Sequence, residues 1–248
     1  MPEEDTYPAA PEGSVRINKY LALCGFESRR AADKIIEEGR VEVNGQRVDT
    51  PGVRVLPTDF VKVDGHHVTP KAVETILLNK PRGYVCSREA QGAKGTVYDL
   101  LPPKCRHLNY AGRLDADSEG LLIFTNDGDL ADKLMHPSYG ATKIYHAFLD
   151  KNLKKADFDA ILKGIELEDG EIHADSLSYV DDDLAQVGIQ IHSGRNRIVR
   201  RIFEHLGYGV KKLDRVYFAG LTKKALTRGS WRFLNETEIA KLKMGSFE

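Results

Sequence analysis

The sequence predicts an α+β protein in two parts, a small helical and hairpin module followed by a larger domain built on a mixed sheet. Three observations carry that prediction. Residues 15–70 pair two short helical periodicities with turn dipeptides set between alternating valine runs. From residue 75 onward, strand-like runs are interrupted by helical patterns at irregular intervals, which argues against a regular βαβ alternation. A length of 248 residues with 41% hydrophobic content suffices for two cores.

In the first module, Ile17, Tyr20, Leu21 and Cys24 recur at helical spacing and stop at Gly25. Ser28 is placed to cap a second helix whose apolar positions are Ala31, Ala32, Ile35 and Ile36, ending at Gly39. Val41-Glu42-Val43 then turns at Asn44-Gly45 into Gln46-Arg47-Val48, and Val61-Lys62-Val63 meets a second turn at Asp64-Gly65. Residues 1–14, with three prolines and four acids, read as a disordered tail, and residues 71–74 as a linker.

The second domain, residues 75–240, has strands expected near Ile76–Leu78, Leu121–Thr125, Lys143–Leu149, Ala174–Val180 and Gln186–His192. Helices are expected from Asp129 to before Pro137, over about Asp157–Gly164, and from Arg197 to Leu206. In the last of these, Ile198, Val199, Ile202, Phe203 and Leu206 form the apolar face, Asn196 is placed as cap and Gly207 as stop.

Composition removes several function classes. No apolar run approaches the roughly 18 residues of a membrane span, and Met1-Pro2-Glu3-Glu4-Asp5 does not start a signal pattern, so a cytoplasmic protein is expected. Cys24, Cys86 and Cys105 are odd in number and widely spaced, and His136, His146, His173 and His192 show no ligand spacing. Neither a disulfide framework, a metal site nor a cofactor is expected.

The net charge of −1 hides segregation. Glu166–Asp183 carries eight acids and no Lys or Arg, whereas His192–Tyr217 holds Arg195, Arg197, Arg200, Arg201, Lys211, Lys212 and Arg215 against only Glu204 and Asp214. A local excess of this kind can bind phosphates although the whole chain is neutral. Arg29 and Arg30 fall in a helix's first turn, where cations oppose the helix dipole unless an anion binds there.

The most informative stretch is Gly112-Arg113-Leu114-Asp115-Ala116-Asp117-Ser118-Glu119-Gly120, a loop with three acids and one arginine ahead of a buried-looking strand. Loops at strand ends are common seats of catalytic groups, and Gly112 and Gly120 permit sharp turns on either side of Asp115. On residue type alone the loop also fits a solvated acidic turn, a calcium loop or a phosphoryl-accepting aspartate. The calcium reading fails at its twelfth position, Asn126, where a bidentate glutamate is required. The phosphoryl reading lacks a glycine-rich phosphate loop with its lysine.

This loop resembles the signature of the bacterial ribosomal RNA pseudouridine synthases, of type A for small-subunit RNA or types B, E and F for large-subunit RNA. Two further segments share the resemblance: Asn79-Lys80-Pro81-Arg82-Gly83-Tyr84-Val85, and Gly194-Arg195-Asn196-Arg197-Ile198-Val199-Arg200-Arg201. The first module is similar to an S4-type RNA-binding domain. Together these cover about Arg16 to Phe233.

The resemblance implies isomerisation of a uridine in ribosomal RNA, more in keeping with large-subunit RNA, by a mixed-sheet domain with its cleft across the middle. It makes Asp115 the catalytic residue, as nucleophile at sugar or base or as general base on the ribose. It makes Tyr145 a stacking partner of the base, Arg200 the basic partner of Asp115, and Arg113 a group that extrudes the base or braces the loop. Arg16, Lys19, Arg29, Arg30, Lys34 and Arg40 in the first module, with Arg195, Arg197 and Arg201 in the second, are the candidate RNA contacts. The expected partner is ribosomal RNA or a ribosomal particle under assembly, and a monomer is expected to bind it. The alternative of another class is a non-catalytic RNA-binding assembly factor on the same scaffold, and a metal-dependent nuclease using the acidic loop stands third.

Overall fold

The computed structural model describes residues 11–26 and 28–245. The chain divides into two compact units with their boundary between Val73 and Glu74. Residues 1–10 of the expected tail lie outside the described residues.

In the first unit, helices Ile17–Leu23 and Arg29–Glu37 stand where the periodicity puts them. Ser28 caps the second, its hydroxyl accepting from the Ala31 N–H at 3.1 Å. Both turn dipeptides adopt left-handed backbone, Asn44-Gly45 at φ 52° and 80° and Asp64-Gly65 at 51° and 78°, the geometry that matches strand twist in two-residue hairpins. They join a four-stranded sheet in the order Gln46–Val48, Val41–Val43, Val61–Val63, His66–His67. Ile17, Leu21, Ala32, Ile36, Val41, Val55 and Val61 close the core between helices and sheet.

The second unit is built on a mixed sheet whose main path runs Ser176–Val180, Asp183–Ile191, Lys143–Leu149, Val210–Phe218, Glu119–Thr125, Thr75–Lys80, Trp231–Phe233. Leu77, Leu121 and Ile123 enter one core and Ile76, Leu78, Leu122 and Phe124 another. The strand Glu119–Thr125 is thus covered on both faces, which explains its uninterrupted apolar run. Helices Gly128–Met135 and Glu236–Met244 pack together over the first of these cores. Lys155–Lys163 and Ile198–His205 cover the sheet around Ala147, Val187 and Ile189.

Several expectations need correction. The strand Val210–Phe218 lies at the centre of the sheet, where the sequence suggests only a basic run. Its charged residues Asp214 and Arg215 are buried, so the alternation that marks a half-exposed strand is absent. Trp231–Phe233 and the helix Glu236–Met244, opened by an Asn235 and Glu238 capping box, are further elements the periodicity does not give. The helix expected from Arg197 runs Ile198–His205, and its cap is Arg197 itself in left-handed backbone at φ 49°, in place of Asn196. The Asp183–Ile191 strand starts before Gln186 because Asp181 and Asp182, at φ 52° and 59°, form a tight turn inside what reads as a polar run.

Strands Glu119–Thr125 and Val210–Phe218 run parallel, with Gly120 opposite Arg215. Gly120 has φ +111°, and a Cβ there would lie 2.3 Å from the Arg215 carbonyl oxygen and 2.5 Å from its nitrogen. Strained backbone and backbone overlap add, so Gly120→Ala is expected to cost about 2–4 kcal/mol. Thermal unfolding should register this as a Tm lower by roughly 5–10 °C; an unchanged Tm would disprove close contact at this crossing.

Candidate active site

The loop carrying Asp115 is held by its backbone. Lys80, 0% exposed at the end of its strand, directs its ammonium to the carbonyls of Asp115 at 2.9 Å, Ser118 at 2.6 Å and Pro81 at 3.2 Å. The Gly83 N–H donates to the Ala116 carbonyl at 2.6 Å. Arg200 donates to the Asp117 carbonyl at 3.2 Å and to the Val210 carbonyl at 2.8 Å. Four successive carbonyls, 115 to 118, thus find donors on segments remote in the chain. Buried carbonyls need such partners, and supplying them from fixed strands and a helix leaves the loop one conformation. Burial pushes the Lys80 ammonium down to about 8, although Cys86, Asp115, Asp117 and Glu119 pull the other way.

The side chains of the loop are paired as well. Arg197 Nη1 lies 3.2 Å from Asp115 Oδ2 and 3.6 Å from Asp117. Arg200 contacts the Asp117 carboxylate at 3.2 Å, and Glu119 receives Arg228 at 2.8 Å. Asp115 remains about one-third exposed toward a cleft of about 380 Å³, within the range of about 300–1,000 Å³ typical of small-ligand sites.

Opposite the loop, Lys143 and Tyr145 line the same cleft from alternate positions of one strand. Burial, with Arg215 nearby, pushes the Lys143 ammonium down to about 8. Tyr145 is half-buried and faces Arg215 across the strand pair, with the Arg215 Nη1 to Tyr145 Oη distance 3.4 Å. Arg113, exposed at the rim, and Arg195 complete the cationic lining. The arrangement sets one carboxylate before an aromatic ring in a pocket of positive potential, which suits an anionic, base-bearing ligand.

The structure therefore brings together Asp115, Tyr145, Arg113, Arg195 and Arg197. Arg200, expected beside the Asp115 carboxylate, instead braces the loop through Asp117 and Ser118, and Arg197, expected to bind phosphate, is the arginine on Asp115. The physical reason is the left-handed turn at Arg197, which directs the residue before the helix into the cleft and leaves Arg200 buried beneath it. Other expected RNA contacts meet the protein's own acids. Arg201 is bidentate on Asp169 at 2.9 and 2.6 Å, Arg195 donates to the Gly170 carbonyl at 2.8 Å, and Arg40 binds Asp64 and Glu38. Each can take a phosphate only by exchanging such a partner. Arg16, Arg29, Arg30 and Lys34 are exposed without an ion pair among the described residues, and Lys19 is half-buried. Sequence reasoning missed Lys80, Lys143 and Arg215 as parts of the site, and the signal available was charge inside otherwise apolar strands.

A family model described as RNA pseudouridylate synthase matches residues 74–205, and one for the S4 domain matches residues 15–61. An uncharacterized RNA pseudouridine synthase of Aquifex aeolicus (strain VF5) is 40% identical over 92% of this chain and 93% of its own length. Ribosomal large subunit pseudouridine synthase B of Bacillus subtilis (strain 168) is 36% identical over 92% of this chain and 95% of its own. The dual-specificity RNA pseudouridine synthase RluF of Escherichia coli (strain K12) is 35% identical over 94% and 79%. A crystal structure of a pseudouridylate synthase superposes with a TM-score of 0.66 at 28% identity, covering 92% of this chain and 99% of that one. With the acidic loop, the facing tyrosine and these matches along nearly its whole length, the chain belongs to the RNA pseudouridylate synthase family and carries an S4 domain ahead of the synthase domain.

Proposed function

We propose that the protein isomerises a uridine of large-subunit ribosomal RNA to pseudouridine, with Asp115 as the catalytic residue. The observation that carries this reading is the rigid presentation of Asp115 to a cationic cleft with Tyr145 on its far wall. Tyr145 stacks on the extruded base, a contact worth ~1–3 kcal/mol, and Arg197 pairs with the Asp115 carboxylate at 3.2 Å. Arg113 enters the RNA from the rim. Large-subunit RNA is favoured because relatives similar over most of the chain carry that name. The protein acts as a cytoplasmic monomer, its first domain at residues 15–70 holding the RNA and residues 71–74 serving as linker.

Site-resolved pseudouridine mapping of ribosomal RNA from cells lacking the protein, complemented with wild type or with Asp115→Asn, tests this. One site lost and restored only by wild type is the expected result. An unchanged map in every strain would replace the synthase reading with that of a non-catalytic assembly factor.

In the first domain, Arg29 and Arg30 contribute by charge on a helix N-terminus. The double variant Arg29→Ala, Arg30→Ala is expected to lower the slope of log affinity against log salt by roughly 1.5–2. Filter binding to the target RNA across salt concentrations reads it, and an unaltered slope would remove both from the interface.

A further inference from the structure

Arg215 is the largest fully buried side chain among the described residues, 2% exposed, and it lines the cleft. Its Nε donates to the Leu121 carbonyl at 2.8 Å, on the strand that follows the Asp115 loop, and its Nη1 points to Tyr145 Oη at 3.4 Å. Among the described residues its Nη2 has no hydrogen-bond partner. Neighbouring Asp214 is taken by Lys223 and Arg228, and among the described residues no carboxylate pairs with Arg215. Arg200 also buries an unpartnered nitrogen, but its remaining donors are spent on the loop and on the Val210 carbonyl, and it does not line the cleft.

A buried cation with no counter-charge is costly, and an unpartnered N–H adds to that cost. The fold fixes this one through Leu121, Tyr145 and the Phe218 ring, and leaves its buried Nη2 without a partner in a residue that lines the cleft. Such a site is suited to an anion that exists only when ligand is bound.

The reaction supplies one. Isomerisation transfers C1′ from N1 to C5 of the uracil, with a proton lost from C5 and one gained at N1. If Asp115 attacks C1′ or deprotonates the ribose, the N1–C1′ bond breaks and its electron pair leaves with the base, spread over N1, O2 and O4. If Asp115 attacks the ring at C6, the displaced pair resides on O4. Every route places negative charge on a base carbonyl before C5 bonds to C1′; the proton then leaves C5 as one is taken up at N1.

Resting on the synthase reading above, we propose that Arg215 is a second catalytic residue, whose free Nη2–H donates to a carbonyl oxygen of the uracil and stabilises the charge on the base while its bond to the sugar is exchanged. A preorganised donor aimed at developing charge needs no reorganisation as the charge appears.

The test uses the full chain and large-subunit ribosomal RNA of the encoding organism, transcribed either with UTP or with 5-fluoro-UTP. Fluorine at C5 withdraws electrons and stabilises the uracil anion, so the second substrate depends less on an external donor. Arg215→Met is expected to lower the single-turnover rate on the uridine transcript by about 10²–10³-fold, with RNA affinity within about threefold of wild type. C5 of the fluorinated base has no proton to lose, so the rate compared on both transcripts is that of exchanging the N1–C1′ bond for a C5–C1′ bond, and its loss on the fluorinated transcript should be smaller by about tenfold. Arg215→Lys keeps the charge but not the fork, and should show the same substrate dependence at intermediate size; it carries the test if the methionine variant does not fold. Equal losses on both transcripts, or a loss confined to RNA affinity, would overturn the proposal. Wild type inert on both transcripts would overturn the synthase reading itself and this inference with it, whereas an active wild type with equal losses overturns the role of Arg215 alone.

Discussion

Asp115→Asn is expected to lower the single-turnover rate by about 10³-fold or more, because an amide can neither attack carbon nor accept a proton at neutral pH. The fold should be unaffected, since the loop is held through carbonyls of the main chain and the asparagine is isosteric. RNA affinity should change by less than about fivefold. The one ion pair altered, Arg197 with a partly exposed Asp115 at 3.2 Å, belongs to a class worth about 1 kcal/mol or less, and Asp117 at 3.6 Å can receive the arginine instead. Rapid-quench assays with excess enzyme separate the two quantities. A variant that retains more than a tenth of the wild-type rate would move the chemistry to another group.

Removing Lys80 is expected to slow the reaction by about 10²-fold without touching the substrate. Lys80→Met withdraws the donor shared by the Asp115, Ser118 and Pro81 carbonyls, and the carboxylate then loses its fixed position. A misplacement of the order of 1 Å costs about 10²-fold in rate, so kcat should fall by that factor with little change in KM. The same lysine sets a pH dependence with two opposite signs. Its value of about 8 lies below the ordinary 10.5, so the protonated form opposes folding. That penalty is complete below about pH 8 and is relieved as pH rises from 8 toward 10.5. Lys143, also at about 8, contributes in the same direction. Activity should run the other way, declining through about pH 8 as the lysine loses a proton that serves the loop. Lys80→Met should therefore lack this alkaline limb and show a shallower rise of stability above pH 8, leaving the share of Lys143. A methionine variant with wild-type kcat would show that the loop does not depend on the ammonium.

What was legible in the sequence follows from where each signal is local. Ser28, Asn44-Gly45 and Asp64-Gly65 act within four residues, and the first unit's helices and hairpins stand where they indicate. The Asp115 loop was legible because its glycines and acids adjoin, whereas Tyr145 stood out through the family resemblance alone, and the strand Lys143–Leu149 carries it to the cleft. The central strand was not, since the residues that make it central, Asp214 and Arg215, are charges whose contacts, Lys223 and Arg228 for the first and Leu121 and Tyr145 for the second, come from elsewhere in the chain. The exchange of roles between Arg197 and Arg200 was hidden for a related reason. A left-handed backbone at an arginine has no sequence mark, as it would at a glycine. The acidic run Glu166–Asp183 was visible as composition, but only the folded chain places Asp169 on Arg201.

The order of the sheet bears on how the protein is made. The strand Val210–Phe218 enters between Glu119–Thr125 and Lys143–Leu149, both of which leave the ribosome long before it. Until it arrives, the nascent chain can hold only two half-sheets, each with an open, largely apolar edge. The synthase fold thus stays divided through most of translation, and the segment that seals it is the one that delivers Arg215 to the cleft. A chain interrupted before residue 210 would retain Asp115 and Tyr145 and still present no site, with the edges that Val210–Phe218 joins and the edge of Thr75–Lys80 that Trp231–Phe233 covers all left unpaired and prone to self-association.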